Sequence, residues 1–129
     1  PKEFGGQAMG AVEQYIFTEE VQRSGFPYPF LTIDSVGPTI ARYANDAMKQ
    51  EIVPKILAGE VNICIGYSEP GAGTDLASLK TKAVREGEDY IINGQKIFTS
   101  LAHYADYVCW PRALTTTQVP RNTRVYRCS

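Results

Sequence analysis

The stretch Gly66-Tyr-Ser-Glu-Pro-Gly-Ala-Gly-Thr-Asp75 constrains this chain more than any other part of it. It follows the apolar positions Val61, Ile63 and Ile65, so it reads as a strand running into a tight loop. Such a loop leaves backbone N–H groups without ladder partners and flanks them with the hydroxyls of Ser68 and Thr74. Gly71 and Gly73, lacking Cβ, let an anionic group such as a phosphate approach the main chain closely. Neither familiar phosphate loop fits. Gly66 and Gly71 have the Walker spacing, but Ala72 and Gly73 stand where its Lys and hydroxyl belong. A dinucleotide fingerprint starting at Gly71-Ala72-Gly73 has Leu76 in place of its third glycine, and no clear helix follows.

Beyond the loop the pattern is that of strands. Leu79 to Glu86 alternates loosely, with Ala83 and Val84 among charged neighbours, and Gly87-Glu88-Asp89 makes a turn. Tyr90-Ile91-Ile92 is a strand, Asn93-Gly94 predicts a hairpin turn, and Gln95 to Ser100 returns from it. Ala105 to Val108 is a further strand. Ahead of the loop the pattern is helical. Ala8 to Ser24 places Val12, Tyr15, Ile16 and Val21 on an apolar face and is stopped by Gly25 and the prolines at 27 and 29. A second apolar segment runs from Phe30 to Tyr43. A third helix, capped by Asn45 or Asp46, carries Met48, Ile52, Ile56 and Leu57 and ends at Gly59. Pro54 is expected to kink or split it. Helices followed by strands, segregated along the chain, read as an α+β protein or as two domains.

Ser68-Glu-Pro-Gly-Ala-Gly-Thr-Asp75, Lys80-Thr-Lys-Ala83, Tyr90-Ile-Ile-Asn-Gly-Gln-Lys96 and Thr99-Ser100 together resemble the acyl-CoA dehydrogenase family. The resemblance covers roughly positions 1 to 108. The Ile63–Ser68 wording and the Ser100-Leu101 continuation look most like the actinobacterial branch acting on steroid or other bulky acyl-CoA esters. It implies an α+β multidomain fold. Residues 1–60 would be the second part of an N-terminal helical domain and 61–108 the first part of a middle β-barrel domain. Pro1-Lys-Glu-Phe-Gly-Gly6 looks like the middle of the family's helical domain, so the chain is expected to be a piece of a longer protein.

Residues 109–129 are different in kind. All acids lie at or before Asp106, leaving nine bases against fourteen acids up to position 108, whereas the remainder has four arginines and no acid. One reading is a basic tail for nucleic acid or an acidic partner, but Arg112, Arg121, Arg124 and Arg127 are scattered among Thr and Pro with little aromatic interleaving. The other is a shifted reading frame and a disordered tail. The family often follows Ala-Asp-Tyr-Val with Trp-Leu-Ala, and TGG-CTG-GCC less one G leaves TGC-TGG-CC, which reads Cys-Trp-Pro, as at Cys109-Trp110-Pro111. On that reading Cys109 and Cys128 carry no redox message, and Cys64 is an ordinary reduced cysteine in a strand. The expectation is a shifted frame and no nucleic-acid partner.

The resemblance implies FAD-dependent α,β-dehydrogenation of an acyl-CoA thioester to a trans-enoyl-CoA. Electrons would pass to an acceptor such as an electron-transfer flavoprotein. Full-length relatives form homo- or hetero-oligomers. Tyr67 and Ser68 match positions at the isoalloxazine edge, and Gly73 and Thr74 match positions reaching the pyrophosphate. Phe98, Thr99 and Ser100 match a stretch along the flavin ring, where the family commonly has Trp in place of Phe98. The glutamate base lies outside this chain, so no residue here is assigned as catalytic. Glu69 is expected to hold the loop through hydrogen bonds, His103 to be a surface residue and Glu19-Glu20 a solvated helix face. There is no Cys/His cluster for a metal and no run apolar enough to span a bilayer. A cytoplasmic protein is expected, with the alternative of a non-catalytic truncated subunit that joins an intact dehydrogenase.

Overall fold

The computed structural model describes residues 1–87 and 89–110, together with the backbone of 113–114 and 124–127. The chain forms two compact units, Pro1–Asn62 and Ile63–Ser129.

The first unit is helical. A short 3-10 turn, Lys2–Phe4, precedes α1, Ala11–Ser24. The helix starts three residues later than its periodicity predicts. Ala8 has a left-handed φ of 55°, and the Glu13 carboxylate accepts the Gly10 amide at 3.0 Å, which fixes the first turn there. Gly25 (φ 70°) ends α1, its N–H donating to the Gln22 carbonyl. The α1 apolar face is uncovered: Val12, Tyr15 and Ile16 are exposed, and no α1 residue is buried. Periodicity defines a face, but burial needs an opposing surface, and in this unit α2 packs against α3.

The second apolar segment is a π-helical turn, Leu31–Val36, running directly into α2, Gly37–Tyr43. The Gly37 N–H donates to the Thr32 carbonyl five residues back. Pro38 has no N–H to offer Asp34 and its ring crowds that carbonyl, so the helix widens locally. In α3, Asp46–Leu57, Asn45 is the cap, its Oδ1 accepting the Met48 amide at 2.9 Å. Pro54 does not split the helix. It falls in the last turn, where it forfeits one bond, and its own carbonyl still accepts the Ala58 amide at 2.9 Å. The core of this unit is Phe4, Thr32, Val36, Ile40, Ile52, Val53 and Ile56.

The second unit is built from strands β1 (Ile63–Ile65), β2 (Lys82–Glu86), β3 (Asp89–Asn93), β4 (Tyr107–Trp110), β5 (Ala113–Leu114) and β6 (Arg124–Arg127). They form two three-stranded sheets, ordered β1-β4-β6 and β3-β2-β5. β1 runs parallel to β4, with Cys64 opposite Val108, and β2 runs antiparallel to β3, with Val84 opposite Ile91. The hairpin turn is therefore at Gly87 (φ 61°), not at Asn93-Gly94, and residues 95–100 do not return as a strand. Gly94 serves a close approach instead: a Cβ there would overlap Thr81 Oγ1 and stand 2.7 Å from Thr81 Cα. Cys109 and Trp110, read from the sequence as the start of a disordered tail, complete β4 and are buried. Cys109 pairs with Ile65 of β1, and both residues pair with β6, so the strand continues through them. The rest of the tail reading lies largely outside the described residues. Cys64 sits in β1 as expected, its thiol 3.6 Å from the Tyr107 carbonyl.

Candidate functional site

The glycine-rich loop leaves β1 with Gly66, whose amide donates to the Cys109 carbonyl at 2.9 Å. Its next anchor is a turn: Glu69 N donates to Ala72 O at 2.8 Å and Ala72 N to Glu69 O at 3.1 Å. The Glu69 side chain is turned inward and is 6% exposed. Its Oε2 accepts the Lys80 amide at 2.7 Å, and its Oε1 accepts the Thr81 amide at 3.0 Å and the Lys96 ammonium at 2.9 Å. Glu69 thus holds the loop, as expected, rather than facing a reacting group. Although the Thr81 hydroxyl stands nearby, it makes no hydrogen bond, so the Lys96 ammonium and the Lys80 and Thr81 amides are what hold the Glu69 carboxyl down to about 2, against burial, which acts the other way.

The loop is laid alongside the segment after β3. Ile97 N donates to the Ser68 carbonyl at 3.0 Å, and Lys96 Nζ donates to the Tyr67 carbonyl at 3.2 Å. This joins Tyr67 and Ser68 to the stretch containing Phe98, Thr99 and Ser100. Tyr67 is 43% exposed, and the partial burial of its ring first, then the nearby Cys109 thiol, pushes its phenol pKa up, so it stays a donor. Ser68 and Thr99 are half-buried, and Ser100 is exposed. Phe98 is 85% exposed and has a left-handed φ of 54°, a conformation a bulky residue rarely adopts. It is not a core aromatic. Gly73 and Thr74 follow the anchored turn and are exposed, and a Cβ at Gly73 would meet no atom within 4 Å. His103 lies exposed in a 3-10 turn, Ala102–Tyr104.

Lys96 and Thr81 are the residues that sequence reasoning missed as parts of this arrangement. Both stand in the quoted motifs, but nothing in local patterning tells that they converge on one carboxylate. The arrangement suits a flat, anionic cofactor. An exposed aromatic ring, a phenol donor and the Ser68, Thr99 and Ser100 hydroxyls lie on two joined segments, with open main chain at Gly73 and a further hydroxyl at Thr74. Among the described residues no His/Cys/Asp/Glu cluster could hold a metal ion, and no helix is long and apolar enough to cross a membrane.

The helical unit has a cleft of about 700 Å³ of its own, which the sequence did not announce. Phe17, Ile33, Ala41, Val53 and Ile56 give it apolar walls, and Gln14 and Tyr28 add polar groups. Tyr28 Oη donates to Asp34 Oδ1 at 2.9 Å, and Gln14 Nε2 to the same oxygen at 2.6 Å. Burial, then the Asp34 carboxylate, pushes the Tyr28 phenol up to about 12.

Residues 1–60 match the family model for the N-terminal domain of acyl-CoA dehydrogenases, and residues 64–124 match that for the middle domain. The acyl-CoA dehydrogenase FadE26 of Mycobacterium tuberculosis is 59% identical over 108 residues, which are 84% of this chain and 27% of that protein. The ChsE4–ChsE5 complex from Mycobacterium tuberculosis contains a chain of similar structure, with TM-score 0.84 at 56% identity, covering 89% of this chain and 30% of that one. A steroid ACAD, Tcur3481–Tcur3483, matches with TM-score 0.84 at 50% identity, covering 93% of this chain and 31% of the other. The chain therefore spans between a quarter and a third of the length of these relatives.

Proposed function

Because this chain belongs to the acyl-CoA dehydrogenase family, we propose that it carries part of the FAD and acyl-CoA site of an enzyme that oxidises the α,β carbon–carbon bond of an acyl thioester to a trans-enoyl-CoA. The observation that carries this reading is the pairing of Ser68 with Ile97, which sets Tyr67 and Ser68 beside Phe98, Thr99 and Ser100. When bound, FAD supplies the sink for the β-hydride. The α-proton needs a carboxylate base, which the family resemblance puts outside these residues, and fixed mutual geometry is what both cleavages demand.

Each residue has a holding task. Tyr67, kept protonated, and Ser68 offer donors to the isoalloxazine edge, where negative charge grows on reduction. Gly73 leaves the main chain open to the pyrophosphate and Thr74 adds a hydroxyl. Phe98 offers a ring face, and Thr99 and Ser100 offer hydroxyls along it. For the acyl group we favour a bulky, polycyclic body, in keeping with the steroid ACAD relative. The roomy apolar cleft of the helical unit, with Gln14 and Tyr28 as polar contacts, supports that class. Electrons would leave to a flavoprotein acceptor in the cytoplasm.

On its own the chain is expected to bind FAD and to turn nothing over. Titration with FAD, read as quenching of flavin fluorescence, should saturate, and Thr74→Ala should weaken it. No saturable quenching would sink the cofactor reading. Turnover of any acyl-CoA with an artificial electron acceptor, above a flavin-only blank, would sink the inactivity.

A second reading is favoured by the uncovered α1 face of Val12, Tyr15 and Ile16 and by the ChsE4–ChsE5 complex. On this reading the chain is a non-catalytic subunit that docks on an intact dehydrogenase. Failure to co-purify with a full-length relative counts against it. The shifted frame after Val108 remains part of the proposal, and the nucleotide sequence across codons 107–112 tests it directly.

A further inference from the structure

One group in the strand-built unit has demanding surroundings and no role in the cofactor contacts described above: the Lys96 ammonium. Its side chain is 13% exposed and that of its partner Glu69 is 5% exposed. A cation so deeply placed is tolerated only when paired and hydrogen-bonded. Lys96 meets both conditions through two separate stretches of chain, the glycine-rich loop and β4. It donates to Glu69 Oε1 at 2.9 Å and to the Tyr67 carbonyl at 3.2 Å, and it stands 5.7 Å from the centre of the Trp110 ring. Its own main chain leads to Ile97, bonded to Ser68, and then to Phe98 with its left-handed backbone and exposed ring.

Two features separate this from an ordinary buried ion pair. An ion pair placed for stability alone is replaceable by a hydrophobic pair of similar volume, yet here the ammonium also holds a main-chain carbonyl of the loop that carries Tyr67 and Ser68. Strained backbone also persists only where the surroundings over-determine it. Phe98 has little of its own burial to do so; the Thr99 carbonyl after it accepts the Ala102 amide at 3.2 Å, and before it the anchors are the Ile97 amide and the Lys96 ammonium.

Resting on the cofactor reading above, we propose that Lys96 is the positioning residue of this site. Its ammonium pins the Tyr67–Ser68 main chain to the Phe98 segment, so that the aromatic wall and the phenol donor keep one fixed spacing for a flavin. Lys96 touches no reacting atom in this role. It acts through the two segments it joins.

The test uses the full 129-residue chain with Lys96→Met, which keeps length and loses charge, and Lys96→Arg, which keeps charge. Hydrogen exchange at the Ile97 amide reports the clamp, exchange at the Gly66 amide reports the β1–β4 pairing as a control, and far-UV circular dichroism reports the fold. In Lys96→Met, exchange at Ile97 should rise by about tenfold or more with Gly66 unchanged. The FAD dissociation constant should rise by about tenfold, and Lys96→Arg should restore most of both. Unchanged exchange at Ile97 in a folded Lys96→Met chain overturns the proposal, as does a folded Lys96→Arg chain as impaired as Lys96→Met. If Lys96→Met does not fold, Glu69→Gln removes the anion and leaves the Tyr67 contact. It should raise exchange at Ile97 less than tenfold but measurably, and no rise overturns the proposal. A wild-type chain whose Ile97 protection depends on Lys96 but which quenches no flavin would support the clamp and overturn the cofactor reading.

Discussion

Replacing Gly94 by Ala adds one carbon at the tightest glycine approach among the described residues of the strand-built unit. The new Cβ would overlap Thr81 Oγ1 and lie 2.6 Å from Thr81 Cβ and 2.7 Å from its Cα. Non-bonded carbons settle at about 3.5–4.0 Å, so one of the two segments must retreat by about 1 Å. Thr81 is badly placed to give way, being 1% exposed with its amide bonded to Glu69. Overpacking of this kind costs about 1–3 kcal/mol, and with no flexible tip to yield the upper end is expected. For a unit of this size about 3 kcal/mol is a fall in Tm on the order of 12–24 °C. Urea and thermal unfolding, followed by the buried Trp110, measure it. The double variant Gly94→Ala/Thr81→Gly removes two of the three opposing atoms and should show a coupling of about 1 kcal/mol or more in the recovering direction. A Gly94→Ala chain within about 0.5 kcal/mol of wild type, or no coupling to Thr81, would refute the close-approach argument.

Three further outcomes are expected. Phe98→Gly relieves a left-handed bulky residue, worth about 1–2 kcal/mol, and adds about 0.5–1 kcal/mol of chain entropy, so the unit should gain roughly 0.5–1 kcal/mol while FAD binding weakens. A loss of stability in urea melts would contradict the strain. Glu69 has its folded pKa lowered from 4.5 to about 2, so its contribution is fully present above about pH 4.5 and is lost as pH falls towards 2. Acid titration by Trp110 fluorescence should show that window flattened in Glu69→Gln, and identical acid profiles would count against it. Asn45→Ala removes the α3 cap bond to Met48 and should cost about 1 kcal/mol by far-UV circular dichroism melts, a change under about 0.3 kcal/mol denying the cap its role.

What could be read from the sequence was whatever local chemistry decides. Asn45 caps and Gly59 stops α3 because each end is settled within one turn, whereas the loop-holding role of Glu69 came from its place in the family motif. The Asn93-Gly94 turn failed for a tertiary reason. The same glycine that suits a two-residue turn also suits a backbone pressed on Thr81, and only the second was used. Pro54 was over-weighted because a proline in a last turn forfeits little. The α1 face was legible as a face, but its burial depended on a surface the pattern could not supply. Lys96 was out of reach because its partners, Tyr67 and Glu69, lie 29 and 27 positions away.

The parallel pairing of β1 with β4 also sets an order of assembly. It brings together Cys64 and Tyr107, 43 positions apart, and closing a loop of that length costs about 3 kcal/mol of chain entropy before any ladder bond is returned. The β2–β3 hairpin, nested inside the same loop and closed at Gly87, carries almost none of that burden. The hairpin is therefore expected to form early and draw the two strands together, leaving Trp110 fluorescence in stopped-flow refolding as the slow signal.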